Sequence, residues 1–305
     1  MQRFSFPSSD GKTALAAYKL VPAHPRAMLQ ISHGMCEYFL RYRAFAEFLA
    51  GEGILVFGHD HLGHGYSASS ARALGYTAKD GGAARLVEDV HNLAQTMKRE
   101  YPTLPVVLFG HSMGSFVARA VVEQYPATYE AAIFCGTAGP GMPTALGKAL
   151  TKQMMAVFGE RYRSRMLRKL CFGGYNKKCG AGCDRNAWLT RDEAVVRAYN
   201  ADPLCNYIFT LRGYHDLFTL IEQVNRNEWA ATLPKALPVL VVSGEEDPVG
   251  NWGQGPKKVA EALLAAGMSD ITLRLYPAMR HEILNELERD AVWADLVSWI
   301  TRQFR

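Results

Sequence analysis

Gly110-His111-Ser112-Met113-Gly114 takes its meaning from the residues on either side of it. Ahead of it runs Pro105-Val106-Val107-Leu108-Phe109, a short apolar, β-branched stretch of the kind that forms a fully buried strand. Behind it, Ser115 to Tyr125 reads as a helix that ends before Pro126. A strand, a G-x-S-x-G turn and a helix in succession make a nucleophile elbow. The glycines are required because the turn is too sharp to admit a Cβ at either position. The strain of that turn holds the Ser112 hydroxyl above the sheet edge, where a carbonyl can reach it.

A serine hydroxyl is a weak nucleophile at its own pKa, so the elbow implies a base and a group to orient it. On elbow-bearing sheets these partners follow in the order serine, acid, histidine. Of nine histidines, only His281 lies late enough in the chain. It follows the alternating strand Ile271–Tyr276 by a short loop, Pro277-Ala278-Met279-Arg280. The acid belongs after the preceding strand, Pro238–Gly244, where Glu245, Glu246 and Asp247 compete. Asp247 is the preferred candidate, because Pro248 fixes a turn behind it and keeps Asp247 itself extended. Glu245 and Glu246 read as solvated loop charges.

An oxyanion needs two main-chain N–H donors. One comes from the residue after the nucleophile, Met113. The other belongs to the loop after an early strand. Ala27–Ser32 is that strand and His33-Gly34-Met35-Cys36 is its loop, with Met35 N–H as the second donor.

The string His33-Gly34-Met35-Cys36-Glu37-Tyr38, then Arg41-Tyr42, then Val56 to Ser67 with its His59-Asp60-His61-Leu62-Gly63-His64-Gly65 core, resembles one branch of the α/β-hydrolases. That branch is the monoacylglycerol lipases and lysophospholipases. The elbow, Asp247-Pro248-Val249 and Arg280-His281-Glu282 continue the resemblance, which covers the chain outside its middle third. It implies Ser112, Asp247 and His281 as a triad, and Met35 and Met113 as oxyanion donors. It also implies that Glu37 and Arg41 form the polar end of the pocket, where a glycerol group would lie. Two positions depart from the pattern. Leu284 stands where the animal monoacylglycerol lipase has a second histidine, and Cys36 replaces a customary glycine.

The rest of the chain fits that frame. At 305 residues it can form one large α/β domain with an insertion. Strands are expected near 27–32, 54–59, 105–110, 131–136, 238–243 and 271–276, in a mostly parallel, doubly wound sheet. Asp10-Gly11 between Arg3–Ser8 and Thr13–Val21 predicts an antiparallel hairpin at the start. Residues 1–139 and 232–305 are read as the hydrolase core, and 140–231 as an inserted helical cap, or lid. No apolar run approaches the roughly twenty residues of a membrane span. Without a secretory h-region the chain is expected in the cytoplasm.

Six cysteines are then expected as reduced thiols, and their spacing does not favour zinc. His59, His61 and His64 have the spacing of a metallohydrolase site, but Gly63 occupies the position where those enzymes want an acid. Gly63 and Gly65 fit a tight loop in which Asp60 and Ser67 bond the backbone. No metal and no cofactor are expected. Within the cap, Lys148–Leu170 holds seven basic residues against one acid, Glu160, a larger surplus than the chain's net +5. Interleaved methionines and aromatics make it a basic amphipathic helix, suited either to transient contact with an anionic lipid surface or to an ordinary solvated cap face. Nucleic acid is not expected, since no recognition motif accompanies the charge.

Together these features predict a serine hydrolase cleaving esters of lipid-like substrates, with monoacylglycerols first. Lysophospholipase or broad carboxylesterase activity is the alternative. A non-catalytic binder of apolar ligands is the alternative of another class. Phe158, Tyr162, Phe172, Tyr175, Trp188 and Phe218 are expected to line an acyl channel.

Overall fold

The apolar runs are strands in the computed structural model, which describes residues 1–304. They are β1 (Gln2–Pro7), β2 (Ala14–Leu20), β3 (Ala27–Ser32), β4 (Ile54–His59), β5 (Val106–His111), β6 (Ala131–Cys135), β7 (Val239–Gly244) and β8 (Ile271–Tyr276). One sheet takes them in the order β1-β2-β4-β3-β5-β6-β7-β8. β2 is antiparallel to both β1 and β4, and every later pairing is parallel.

Among the described residues, nine α-helices flank the sheet or bridge it: α1 (Arg43–Gly51), α2 (Gly82–Glu100), α3 (Met113–Gln124), α4 (Thr144–Phe158), α5 (Arg165–Phe172), α6 (Glu193–Ala201), α7 (Leu211–Val224), α8 (Gln254–Ala265) and α9 (Arg289–Arg302). The period-two alternation of a strand sorts its side chains between two cores. Val106 and Leu108 of β5 pack with residues of α2, α3, α7 and α8, while Val107 and Phe109 pack with α1 and α9. With both faces covered, β3 to β7 are buried along their whole length. Gln30 is tolerated there because its amide donates to the Val90 carbonyl (2.8 Å) and accepts from the Tyr129 hydroxyl (2.7 Å).

Helices α4 to α7 lie in the connection between β6 and β7. The basic stretch expected as one helix is two. Gly159 ends α4 at φ 81°, a conformation that a side chain resists, and the Ser164 hydroxyl caps α5 by accepting from Leu167 N–H (3.1 Å). The last helix of the connection is anchored differently. Leu220, Ile221 and Val224 of α7 belong to the same core as α2 and α3. Arg119 of α3, wholly buried, donates to the carbonyls of Val224 and, at 3.0 Å, Ala138, and its guanidinium lies 4.1 Å from the Trp229 ring centre.

Candidate active site

The elbow forms as its sequence requires. β5 ends at His111, α3 begins at Met113, and Ser112 between them sits at φ 54°, ψ −121°. A Cβ on Gly114 would collide with the Ser32 carbonyl, and one on Gly110 with the Gly114 carbonyl, so β3, β5 and α3 close together only with glycine at both places. A positive φ at a serine costs on the order of 1 kcal/mol, and here it aims the hydroxyl into a cavity.

That cavity has a volume of about 830 Å³ and is partly open to solvent. Gly34–Glu37, His111–Met113 and His281 border it on the sheet side. From the β6–β7 connection come Leu146, Leu170, Phe172, Tyr175, Trp188, Tyr214 and Phe218. Phe158 and Tyr162, expected among them, are not. They flank the break at Gly159, stack on each other with ring centres 4.8 Å apart, and face solvent.

Asp247 meets His281. Its Oδ2 accepts from His281 Nδ1 (2.9 Å) and Ser243 Oγ (3.1 Å), and its Oδ1 from Val249 N–H (2.8 Å). Burial would raise the Asp247 pKa, but the facing imidazole and these donors outweigh it and hold it below the usual carboxylate value. Glu245 is exposed and Glu246 half-buried, and neither bonds His281. The His281 loop is also tied to the connection between β6 and β7. His281 N–H donates to the Trp188 carbonyl (3.4 Å) and Glu282 N–H to that of Leu189 (2.7 Å), while Arg280 Nη1 donates to the Ala187 carbonyl (2.8 Å).

Of the expected oxyanion donors, Met113 opens α3, so its N–H belongs to the positive end of a helix. Met35 lines the cavity, and Cys36 after it has φ 57°, the region that explains why glycine is customary at this position. The Cys36 thiol donates to the Tyr207 carbonyl (3.1 Å) and ties the loop to the residues ahead of α7.

Glu37 borders the cavity but Arg41 does not. Glu37 Oε1 accepts from Gly34 N–H (2.5 Å), Tyr42 hydroxyl (2.8 Å) and His111 Nδ1 (3.3 Å), and Oε2 from Arg41 (2.8 Å). Arg41 makes its bidentate pair with Glu282, at 2.7 Å for both contacts, rather than with Glu37. Burial would raise the Glu37 pKa, yet the His111 bond and Arg41 hold the carboxyl well below its usual range. Sequence reading passed over His111 and Glu282. The pairing of Glu282 with Arg41 spans 241 residues and left no local signal.

His33, His59, His61 and His64 are buried side by side, with ring centres 4.3 Å apart for His33 and His61 and 4.9 Å for His59 and His61. The loop they share is braced as its sequence suggested: Asp60 accepts from Tyr66 N–H (2.8 Å) and Phe39 N–H (2.9 Å), and Ser67 donates to the Asp60 carbonyl (2.6 Å). Burial and mutual repulsion depress these imidazoles, His59 and His64 to about 3.

A parallel sheet with a strained serine at the turn after its central strand, and an Asp–His pair on the neighbouring loops, defines an α/β-hydrolase. Residues 23–288 match the family described as serine aminopeptidase, S33. The chain is 30% identical over 280 residues to the monoacylglycerol lipase of Mycolicibacterium smegmatis, covering 90% of this chain and 88% of that one. It is 26% identical over 301 residues to the human monoglyceride lipase, covering 97% and 89%. Among solved structures, a thermostable carboxyl esterase from Bacillus coagulans in complex with glycerol superposes with a TM-score of 0.93 at 28% identity, covering 100% of this chain and 99% of that one. The chain therefore belongs to the serine aminopeptidase S33 family of α/β-hydrolases, as an ester hydrolase related to the monoacylglycerol lipases.

Proposed function

We propose that this chain hydrolyses monoacylglycerols through an acyl-enzyme on Ser112, with lysophospholipids and simple esters as secondary substrates. The observation that carries the reading is that the strained Ser112 and the Asp247-bound His281 open onto one apolar cavity. His281 takes the serine proton on attack and gives it to the leaving alcohol. Asp247 holds Nδ1 so that Nε2 faces the reaction. Met35 and Met113 N–H groups receive the oxyanion. The acyl chain lies among Leu146, Phe172, Trp188 and Phe218, beneath the 140–231 segment acting as a cap. The alcohol lies toward Glu37, which Arg41 fixes from behind.

The names of the relatives support a glycerol ester, and glycerol accompanies the Bacillus coagulans esterase. A peptidase reading, raised by the family's description, would need an anion to hold a substrate amino group. The carboxylates bordering the cavity among the described residues, Glu37 and Glu282, are both already paired with Arg41. A purely binding role would leave the Ser112, Asp247 and His281 set without a use. Contact with lipid surfaces is supported by the exposed Leu146 and Leu170, which border the cavity together with Arg165 and Lys169. Among the described residues, no helix is long and apolar enough to cross a membrane.

The test is covalent labelling by a fluorophosphonate probe, with Ser112→Ala as control, together with paired substrates. Glu37→Ala should reduce monoacylglycerol turnover far more than p-nitrophenyl ester turnover. Absence of labelling in wild type rejects the acyl-enzyme. Because Glu37 also holds Gly34 and His111, the glycerol contact is read from the loss on monoacylglycerol in excess of that on the p-nitrophenyl ester, and no excess rejects it.

A further inference from the structure

His111, the second residue of the elbow, has an acceptor at each ring nitrogen. Nδ1 faces Glu37 Oε1 at 3.3 Å and Nε2 faces the His281 carbonyl oxygen at 3.3 Å. A neutral imidazole has one N–H and would turn a lone pair on one of the two oxygens. Only the doubly protonated ring satisfies both. The surroundings agree. Glu37 and Glu282 are buried anions and Arg41 supplies one positive charge between them, so this buried group lacks one cation without His111. Burial alone would discharge the His111 ring, but the hydrogen bond and charge of Glu37 outweigh it and its titration moves upward.

We propose that His111 is a buried imidazolium that locks the oxyanion loop to the base loop and keeps a fixed positive charge beside His281. The lock runs from Gly34 N–H to Glu37, from Glu37 to His111, and from His111 to the His281 main chain. It passes directly behind Ser112, whose Cβ lies 3.1 Å from where a Gly34 Cβ would stand. The ring centres of His111 and His281 are 4.6 Å apart. Like charges at that spacing repel, so the cation opposes protonation of the base and extends hydrolysis to lower pH. The other titratable groups around it are Tyr42, whose hydroxyl also bonds Glu37, His33 at the end of β3, and Asp247 beyond His281. His111 is a positioning residue, and its effect on rate rests on the reading of Ser112 and His281 given above.

The test has two arms. In the full chain with ¹⁵N-labelled histidine, His111 should show two ring N–H protons at pH 8, assigned by their loss in His111→Gln. A single ring N–H at pH 8 overturns the proposal. In the second arm, His111→Gln should move the acid limb of kcat/KM for a soluble ester to higher pH by about half to one unit. A merely structural role would lower the plateau without moving the limb, and that result overturns the claimed charge. The resonance arm reads wild type without substrate, and if His111→Gln does not fold, the assignment rests on proximity of the ring protons to the Tyr42 ring, whose centre lies 6.4 Å from that of His111. It also separates the two ideas: turnover surviving in Ser112→Ala would reject the hydrolytic reading and leave the charge of His111 as measured.

Discussion

The cavity stands over the sheet core of β3, β5, β6 and β7, with a floor from the end of β5 and the loops after β3, β7 and β8 and a roof from the connection between β6 and β7, and the two are held differently. Every residue of those four strands is buried. Of the fifteen residues of α4 only Thr151 is buried, and of the eight of α5 only Leu167. Leu146, Val157, Met166 and Leu170 instead face solvent. Ester chemistry needs its nucleophile, base and acid fixed to a fraction of an ångström. A long apolar substrate needs a doorway, and an exposed apolar rim is what a doorway to lipid would present. The roof itself is graded, because α7 is packed into the main core while α4 packs against α7.

The sharpest break between floor and roof should appear in turnover. Ser112→Ala and His281→Ala should lower kcat on a short-chain ester by about 10⁴-fold or more while the fold persists, and Asp247→Asn by about 10⁴-fold. Glu246→Gln should stay near wild type. If instead Glu246→Gln is crippling and Asp247→Asn is harmless, the assignment of the acid fails. Next in size is packing. Phe134→Ala, beneath the floor on β6, should cost about 3–5 kcal/mol in urea unfolding. Leu170→Ala on the roof should stay within about 0.5 kcal/mol. Similar losses at both would erase the distinction.

A third outcome concerns acid. His59, His61 and His64 are held neutral in the fold with depressed pKa values, so the unfolded chain takes up protons that the folded chain refuses. Stability is therefore full above the ordinary histidine value of about 6.5 and declines as pH falls toward about 3 for His59 and His64. Melting temperature should drop by on the order of 10 °C between pH 7 and pH 4. His111 has the opposite sign: its stabilising charge is present at low pH and fades as pH rises through its elevated pKa. A melting temperature flat across that range would contradict the buried neutral imidazoles. The smallest effect belongs to the rim. Reversing Arg165 and Arg168 should weaken binding to anionic vesicles by roughly 1 kcal/mol per charge and spare hydrolysis of a soluble short-chain ester. Unchanged vesicle binding would make the basic stretch an ordinary solvated face.

The floor was legible because its signals are local. Strand periodicity, the Gly110 and Gly114 spacing and Pro248 behind Asp247 each act within a few residues. Strand limits fell within a residue or two of those observed. The roof was less legible for the same reason. Basic and apolar residues alternate from Lys148 to Leu170, and composition did not reveal that Gly159 divides them into two helices, which turned Phe158 and Tyr162 outward. Arg41 and Glu37 were marked by resemblance. Which carboxylate Arg41 grips with both nitrogens depended on Glu282, on a loop that only the folded sheet brings near.

The main-chain bonds from His281 to Trp188 and from Glu282 to Leu189 set a limit on how the cavity can admit a substrate. A roof segment bonded to the main chain of the His281 loop cannot swing aside without pulling on that loop. Between Met142 and Gly174 the helices bury least, only Thr151 in α4 and Leu167 in α5, although α4 packs along α7 and Arg163 bonds the segment after Gly159 to the Ile208 and Leu74 carbonyls. The insertion thus has two unlike parts: an outer one that buries little, and residues 187–190, which share main-chain bonds with the His281 loop.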